Sequence, residues 1–198
     1  MAETDDSPQP LLAGRALTHV EVAAGSRLYR SHPADFDPIY FGKGRAYRFD
    51  DPAGTYGVFY AAHRLEGAFV ETFLRRPGRT YLDRGDLARR SLSAVKVNRA
   101  LQLLPLHGPH LVQAGATAEV THGPADQYTL PQRWSAAIHD RGGFDGIEYR
   151  SRHDDELLCV ALFDRARSAI EPAGLPVNWM ADADLLGKIL DRYGVALG

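Results

Sequence analysis

Apolar positions along this chain recur with a strand period in some stretches and a helix period in others. Arg27 to His32 (Arg-Leu-Tyr-Arg-Ser-His) alternates and stops at Pro33, which predicts a short strand that ends in a loop and carries Arg30. From Pro33 to Tyr56 glycine, proline and aspartate recur among aromatics, the pattern of a long functional loop. Gly57 to Ala62 is β-rich, and His63 to Arg75 stacks Leu65, Phe69 and Phe73 at helical spacing, so a strand and then a helix are expected. Strands are likewise predicted over Ser91–Val97, Leu101–Leu104, Gly146–Arg150 and Leu157–Phe163. Helices are predicted over Gly108–Ala116, Leu130–Asp140, with Pro131 near its start and Gly142 and Gly143 as its stop, and Ala183–Tyr193. No internal repeat emerges, and the mixture reads as α+β.

The chain has 198 residues, 44% hydrophobic and 24% charged, which suits one compact domain with a core better than two. Met1 to Pro10 is acidic and carries two prolines, so residues 1–10 are expected to form a mobile tail and 11–198 the domain. The same segment lacks the basic and apolar regions of an export signal. No stretch reaches the roughly 18 apolar residues that a membrane-spanning helix requires. A net charge of -2 gives no field to attract nucleic acid, and the lone Cys159, set in an apolar run, excludes an internal disulfide. A cytoplasmic protein that acts on neither membrane nor nucleic acid is the expectation.

Polar groups stand in three stretches where core packing does not demand them. Tyr29-Arg30 and the loop Phe41 to Asp50 combine glycines with Lys43, Arg45 and Arg48; glycines permit close backbone approach, and forked guanidinium donors match a pyrophosphate. Surface ion pairs and simple turns are the alternative reading. Neither a phosphate-binding Gly-Lys-Ser/Thr loop nor a three-glycine dinucleotide motif is present. Glu71 falls on a helix that is apolar on most sides, and a half-buried carboxylate needs a partner: an ion pair with Arg30 or Arg48, or a sugar hydroxyl beside developing positive charge. Tyr60 either packs or faces a ligand. Ser151, directly after the strand ending at Arg150, either caps a turn or borders a ligand, and no Gly-x-Ser-x-Gly elbow surrounds it. His107, His110 and His122 lack metal-ligand spacing and read as surface histidines; no metal is expected.

In order, Phe41-Gly42-Lys43-Gly44-Arg45, Arg48 to Pro52, Gly57 to Ala62, Gly67 to Glu71 and Gly146 to Ser151 resemble the RES domain, a family of bacterial toxins from RES/Xre-type toxin–antitoxin systems named for an arginine, a glutamate and a serine. The resemblance covers Arg27 to Phe163 and leaves Met1–Ser26 and the terminal helix unassigned. It implies a fold like the diphtheria-toxin type of ADP-ribosyltransferase, with a split β-sheet and surrounding helices that clamp NAD⁺. It further implies that Arg30, Arg48 and Lys43 contact the dinucleotide, that Tyr60 stacks on nicotinamide, that Glu71 is the catalytic carboxylate with Tyr60 and Arg30 acting beside it, and that Ser151 borders the pocket. The expected activity is an NAD⁺-consuming glycosyl transfer in which ADP-ribose passes to a host protein. Water (a glycohydrolase) and phosphate (a phosphorylase) are the alternative acceptors. A cognate antitoxin blocking the NAD⁺ cleft is the expected partner. An inert nucleotide-binding module would need no Glu71, and a protein-interaction domain would need neither Glu71 nor the arginines.

Overall fold

The structure is a computed structural model describing residues 8, 12–123 and 127–198. Apart from Pro8, the expected tail over residues 1–10 lies outside the described residues. The strands in chain order are β1 (Val20–Val22), β2 (Arg27–Pro33), β3 (Val58–Ala62), β4 (Tyr81–Leu82), β5 (Arg90–Val97), β6 (Leu101–Pro105), β7 (Gly146–Arg150), β8 (Leu158–Phe163), β9 (Ile170–Pro172), β10 (Val177–Asn178) and β11 (Ala196–Leu197). The helices are α1 (Leu65–Phe73), α2 (Arg84–Ala88), α3 (Pro109–Ala114), α4 (Glu119–His122), α5 (Thr129–Arg141) and α6 (Ala183–Tyr193), with a 3₁₀ turn at Asp164–Ala169. None of these helices is long and apolar enough to cross a membrane.

One sheet runs in the order β1-β6-β7-β8-β3-β2-β5-β10, with β9 also on β5; β6 and β7 are parallel and the other neighbours antiparallel. The register between β2 and β5 is continuous from Arg27↔Lys96 to Pro33↔Arg90, and that between β3 and β8 from Val58↔Phe163 to Ala62↔Cys159. Between β2 and β3 it consists of one pair, Tyr29↔Ala62. There the sheet splits, as the expected fold class requires, and helices surround it.

Alternation along the strands feeds separate cores. Cys159, Ala161 and Phe163 of β8 join Tyr149, Ile147 and Trp134 of α5 in one cluster. Val160 and Leu162 join Phe59, Leu28 and Val95 on the opposite face. Both faces being covered, β8 (Leu-Cys-Val-Ala-Leu-Phe) reads as an unbroken apolar run. A third cluster packs Phe69 and Phe73 of α1 against Trp179 and Leu186, Ile189 and Leu190 of α6. The last helix has the bounds its periodicity predicts, because Asp182 accepts from the Leu185 amide at 2.9 Å and Gly194 closes it with a left-handed φ of 61°. Helix α1 approaches β3 closely at Gly67, where a Cβ atom would lie 2.6 Å from the Cβ of Ala62. Any larger residue there would push α1 off the sheet.

His107 departs from the surface position expected of it. Its Nε2 lies 3.0 Å from Oε1 of Glu148, whose Oε2 is 2.8 Å from Nε2 of His63, and the Glu148 side chain is only 7% exposed. The residues meet because β7 runs parallel to β6 and antiparallel to β8, a juxtaposition that no local pattern records. Burial pushes the Glu148 carboxyl up, but the two imidazoles outweigh it and hold it at about 2. A carboxyl depressed in the folded state stabilises the fold above its ordinary titration range and loses that contribution as pH falls towards the folded value. Between about pH 5 and pH 2, wild-type protein is therefore expected to lose on the order of 2 kcal/mol more unfolding free energy than Glu148→Gln. Urea titrations across that range measure the difference, and parallel losses in the two proteins would refute it.

Candidate functional site

The split in the sheet opens a cleft of about 420 Å³, lined by Tyr29 to Pro33 of β2, Tyr60 to Ala62 of β3, and Gly67, Ala68, Glu71 and Thr72 of α1. That volume falls in the usual range of small-molecule sites, about 300–1,000 Å³. Arginines crowd it: Arg30, Arg48, Arg75, Arg76, Arg90 and Arg152 all line the cleft, against one carboxylate among the described residues, that of Glu71.

Arg48 is only 7% exposed, and its guanidinium lies 6.0 Å from the ring of Tyr128 and 5.9 Å from that of Tyr149. Among the described residues no carboxylate pairs with it, so a buried cation is held by aromatic faces and turned towards the cleft. Arg30 spans the opening between the strands: it donates to the carbonyl of Tyr40 at 3.0 Å and lies 4.8 Å over the Phe59 ring. Burial, with Arg90 adding to it, brings its pKa down to about 10, so it stays charged at neutral pH. His32, also on the cleft, donates from Nδ1 to the Pro33 carbonyl and accepts from Ser93 at Nε2; burial lowers its pKa, and it serves as a neutral brace.

Glu71 projects from α1 and accepts a hydrogen bond from Ser151 at 2.6 Å. Ser151, fully buried just beyond β7, also accepts from the His153 amide at 3.2 Å. Neither arginine named as an alternative partner forms an ion pair with Glu71. The serine thus holds one carboxylate oxygen and leaves the other free to meet a ligand.

Tyr60 is fixed from behind. Its hydroxyl donates to Oδ1 of Asp50 at 2.9 Å and accepts from the Phe49 amide at 2.9 Å, while Oδ2 of Asp50 accepts from the amides of Ala46 and Tyr47. Asp50 is 1% exposed, and burial raises its pKa against these donors. The same carboxylate therefore shapes the loop and orients the ring that faces the cleft. Tyr47 meets Tyr60 edge-on at 5.6 Å and Arg75 at 5.7 Å. Gln132 of α5 donates to the carbonyls of Arg45 and Tyr47, which holds Arg45 at a φ of 57°, a conformation rare outside glycine.

Of the sequence-derived candidates, Arg30, Arg48, Tyr60 and Glu71 line one cleft, and Ser151 touches it through Glu71. Lys43 does not line it; its ammonium donates to the carbonyl of Thr55 at 2.7 Å on the exposed side of the loop. His153, Arg75, Arg90 and Tyr128 were not anticipated. Their common signal is position just beyond, or at the edge of, an element bordering the split, which the chain order alone does not reveal. Among the described residues no group of histidine, cysteine and acidic side chains has a metal-binding arrangement.

Tyr60→Phe removes one of the donors that satisfy a buried carboxylate, so the variant is expected to be about 1–3 kcal/mol less stable while keeping the ring. Denaturant titration checks this, and an unchanged midpoint would show that Asp50 does not depend on the tyrosine.

Comparison with known proteins agrees with this geometry. Residues 27–180 match the family model described as "RES domain". The chain superposes on one chain of the crystal structure of the M. tuberculosis MbcT-MbcA toxin-antitoxin complex with a TM-score of 0.69 at 15% identity, covering 94% of this chain and 98% of that one. No curated protein matches the sequence. The family match takes in β2, the split, Glu71 and Ser151 together, and the chain therefore belongs to the RES-domain family.

Proposed function

We propose that residues 11–198 form one RES domain that binds NAD⁺ in the cleft and breaks its nicotinamide–ribose bond, acting as the toxin of a toxin–antitoxin pair. The observation that carries this reading is a buried Arg48, without a carboxylate partner among the described residues, opening on the same cleft as the serine-held Glu71. A buried cation without a partner calls for an anion, and a carboxylate with one free oxygen suits a centre that becomes positive.

The chemistry follows from the bond to be broken. Nicotinamide leaves as a neutral ring, so its departure needs no proton; the ribose carbon becomes oxocarbenium-like and must be stabilised. Arg48 and Arg30 hold the pyrophosphate, Tyr60, braced by Asp50, orients the nicotinamide, and Glu71 binds a ribose hydroxyl while placing negative charge beside the developing cation. Ser151 keeps Glu71 in that rotamer. Transfer of ADP-ribose to a host protein is the reaction we favour; water or phosphate as acceptor would deplete NAD⁺ without a target. The cleft lies open on one side, as attack by an external acceptor requires.

Glu71→Gln preserves shape and removes charge. It is expected to lower nicotinamide release from NAD⁺ by at least about 100-fold with little change in NAD⁺ affinity. A folded variant turning over at the wild-type rate would refute the role of Glu71.

The fold shared with a chain of the MbcT-MbcA toxin-antitoxin complex supports a cognate antitoxin as partner; we infer that it obstructs the cleft with a segment presenting carboxylates to Arg30 and Arg48 in place of pyrophosphate. Expression of the chain alone is expected to arrest bacterial growth and lower cellular NAD⁺, and co-expression of its cognate antitoxin to reverse both. Normal growth and NAD⁺ in cells that hold the folded protein would rule out the toxin reading.

A further inference from the structure

An acceptor that attacks through a hydroxyl, whether water or an alcohol, must give up its proton as the new bond forms. Glu71 already receives the Ser151 hydroxyl at 2.6 Å and is charged with stabilising the ribose. Among the described residues the cleft holds one other group suited to the proton. His153 is half-buried, lines the cleft beside Glu71, and its main chain is tied to the same serine through its amide at 3.2 Å. Among the described residues its ring makes no hydrogen bond or ion pair, in contrast with the remaining imidazoles of this region. His32 has both nitrogens engaged, and His63 and His107 flank Glu148.

We propose that His153 is the general base of this RES domain, receiving the proton of the acceptor hydroxyl as it attacks the ribose; the assignment rests on the NAD⁺-cleaving reading of the cleft. In that step the bond from ribose carbon to nicotinamide nitrogen breaks, and its electron pair returns to the ring, which becomes neutral. A lone pair of the acceptor oxygen forms the new carbon–oxygen bond, and the oxygen's proton passes to His153 and from there to solvent. Nothing is oxidised or reduced.

The surroundings suit a base. Glu71 faces the imidazole from α1, Arg75 from beyond the end of that helix, Arg48 from the loop before β3, and Arg152 from its own segment. Burial lowers its pKa, Glu71 opposes this, and the arginines add to the lowering, so the ring is neutral at pH 7 and ready to take a proton. An acceptor that arrives already deprotonated, such as azide or the phosphate dianion, needs no such help. His153 therefore separates two kinds of acceptor that the rest of the cleft treats alike.

The test uses purified full-length protein, His153→Gln and His153→Asn, with folding checked by thermal melts and NAD⁺ affinity by calorimetry. Nicotinamide release with water as acceptor is followed from about pH 5 to pH 9. The wild-type kcat is expected to fall on the acid side with a midpoint below about 6.5, the ordinary histidine value. The variants should lose about 100-fold or more in kcat with little change in KM, and lack the acid limb. Added azide should restore their turnover and yield the glycosyl azide. Folded variants that keep both kcat and the acid limb would overturn the proposal, as would a loss that azide does not repair or a wild-type turnover that requires inorganic phosphate and is indifferent to His153. Wild-type protein that releases no nicotinamide under any condition would remove the proposed function itself, and this assignment with it.

Discussion

Everything in the molecule that concerns the cleft depends on how little β2 and β3 share. A strand in the middle of a sheet ordinarily satisfies its backbone on both edges. Here β5 takes one edge of β2 along its whole length and β8 takes one edge of β3, but the two strands meet each other at Tyr29 and Ala62 alone. Beyond that pair, Arg30 to Pro33 line an opening where ladder hydrogen bonds would otherwise run. The halves do not fall apart because, on the opposite face, Leu28 and Val95 from one side and Phe59 and Val160 from the other share a core. The sheet is sewn shut on one face and parted on the other, and Gly67 lets α1 settle beside the only stitch, which carries Glu71 over the gap.

A second layer of polar contacts makes the opening definite. The loop between β2 and β3 has no regular structure, yet acidic side chains fold it onto itself. Asp50 gathers the Ala46 and Tyr47 amides and the Tyr60 hydroxyl, and Asp51 gathers the amides of Ala53 and Tyr56 and the hydroxyl of Thr55. Ser135 of α5 donates to the Phe49 carbonyl at 2.6 Å and exchanges a hydrogen bond with Tyr56, so the loop is also fastened from outside. Aromatic rings at the mouth of the cleft thereby acquire fixed positions without a strand or helix beneath them.

The long elements were legible in the sequence, since the spacing of Leu65, Phe69 and Phe73 and the apolar run of β8 are local facts that burial preserves. Strands of two or three residues such as β1, β4 and β11 leave no period to read; they exist because neighbours in space complete them. The loop was legible as a loop through its glycines and aspartates, but not the assignment of each aspartate to its donors. Arg30, Arg48, Tyr60, Glu71 and Ser151 reached the same region because an ordered set of motifs marked them. Lys43 shared that motif and turned outward, as its backbone position faces Thr55. The Glu148 pair of histidines and the cleft position of His153 arise from packing between distant segments, which spacing along the chain does not encode.

The surplus of arginines in the cleft has a consequence for the protein at rest. Among the described residues six guanidinium groups share a confined space with one carboxylate, and the pKa of Arg30 already registers the desolvation that burial imposes. The ligand-free fold is thus an electrostatic compromise, and any multivalent anion that settles between these groups relieves it. An anion bridging Arg30 of β2 and Arg48 of the loop before β3 would also tie the weakly joined halves of the sheet together. Phosphate or sulfate in the buffer, by standing in for the missing charge, is therefore expected to raise the protein's resistance to heat.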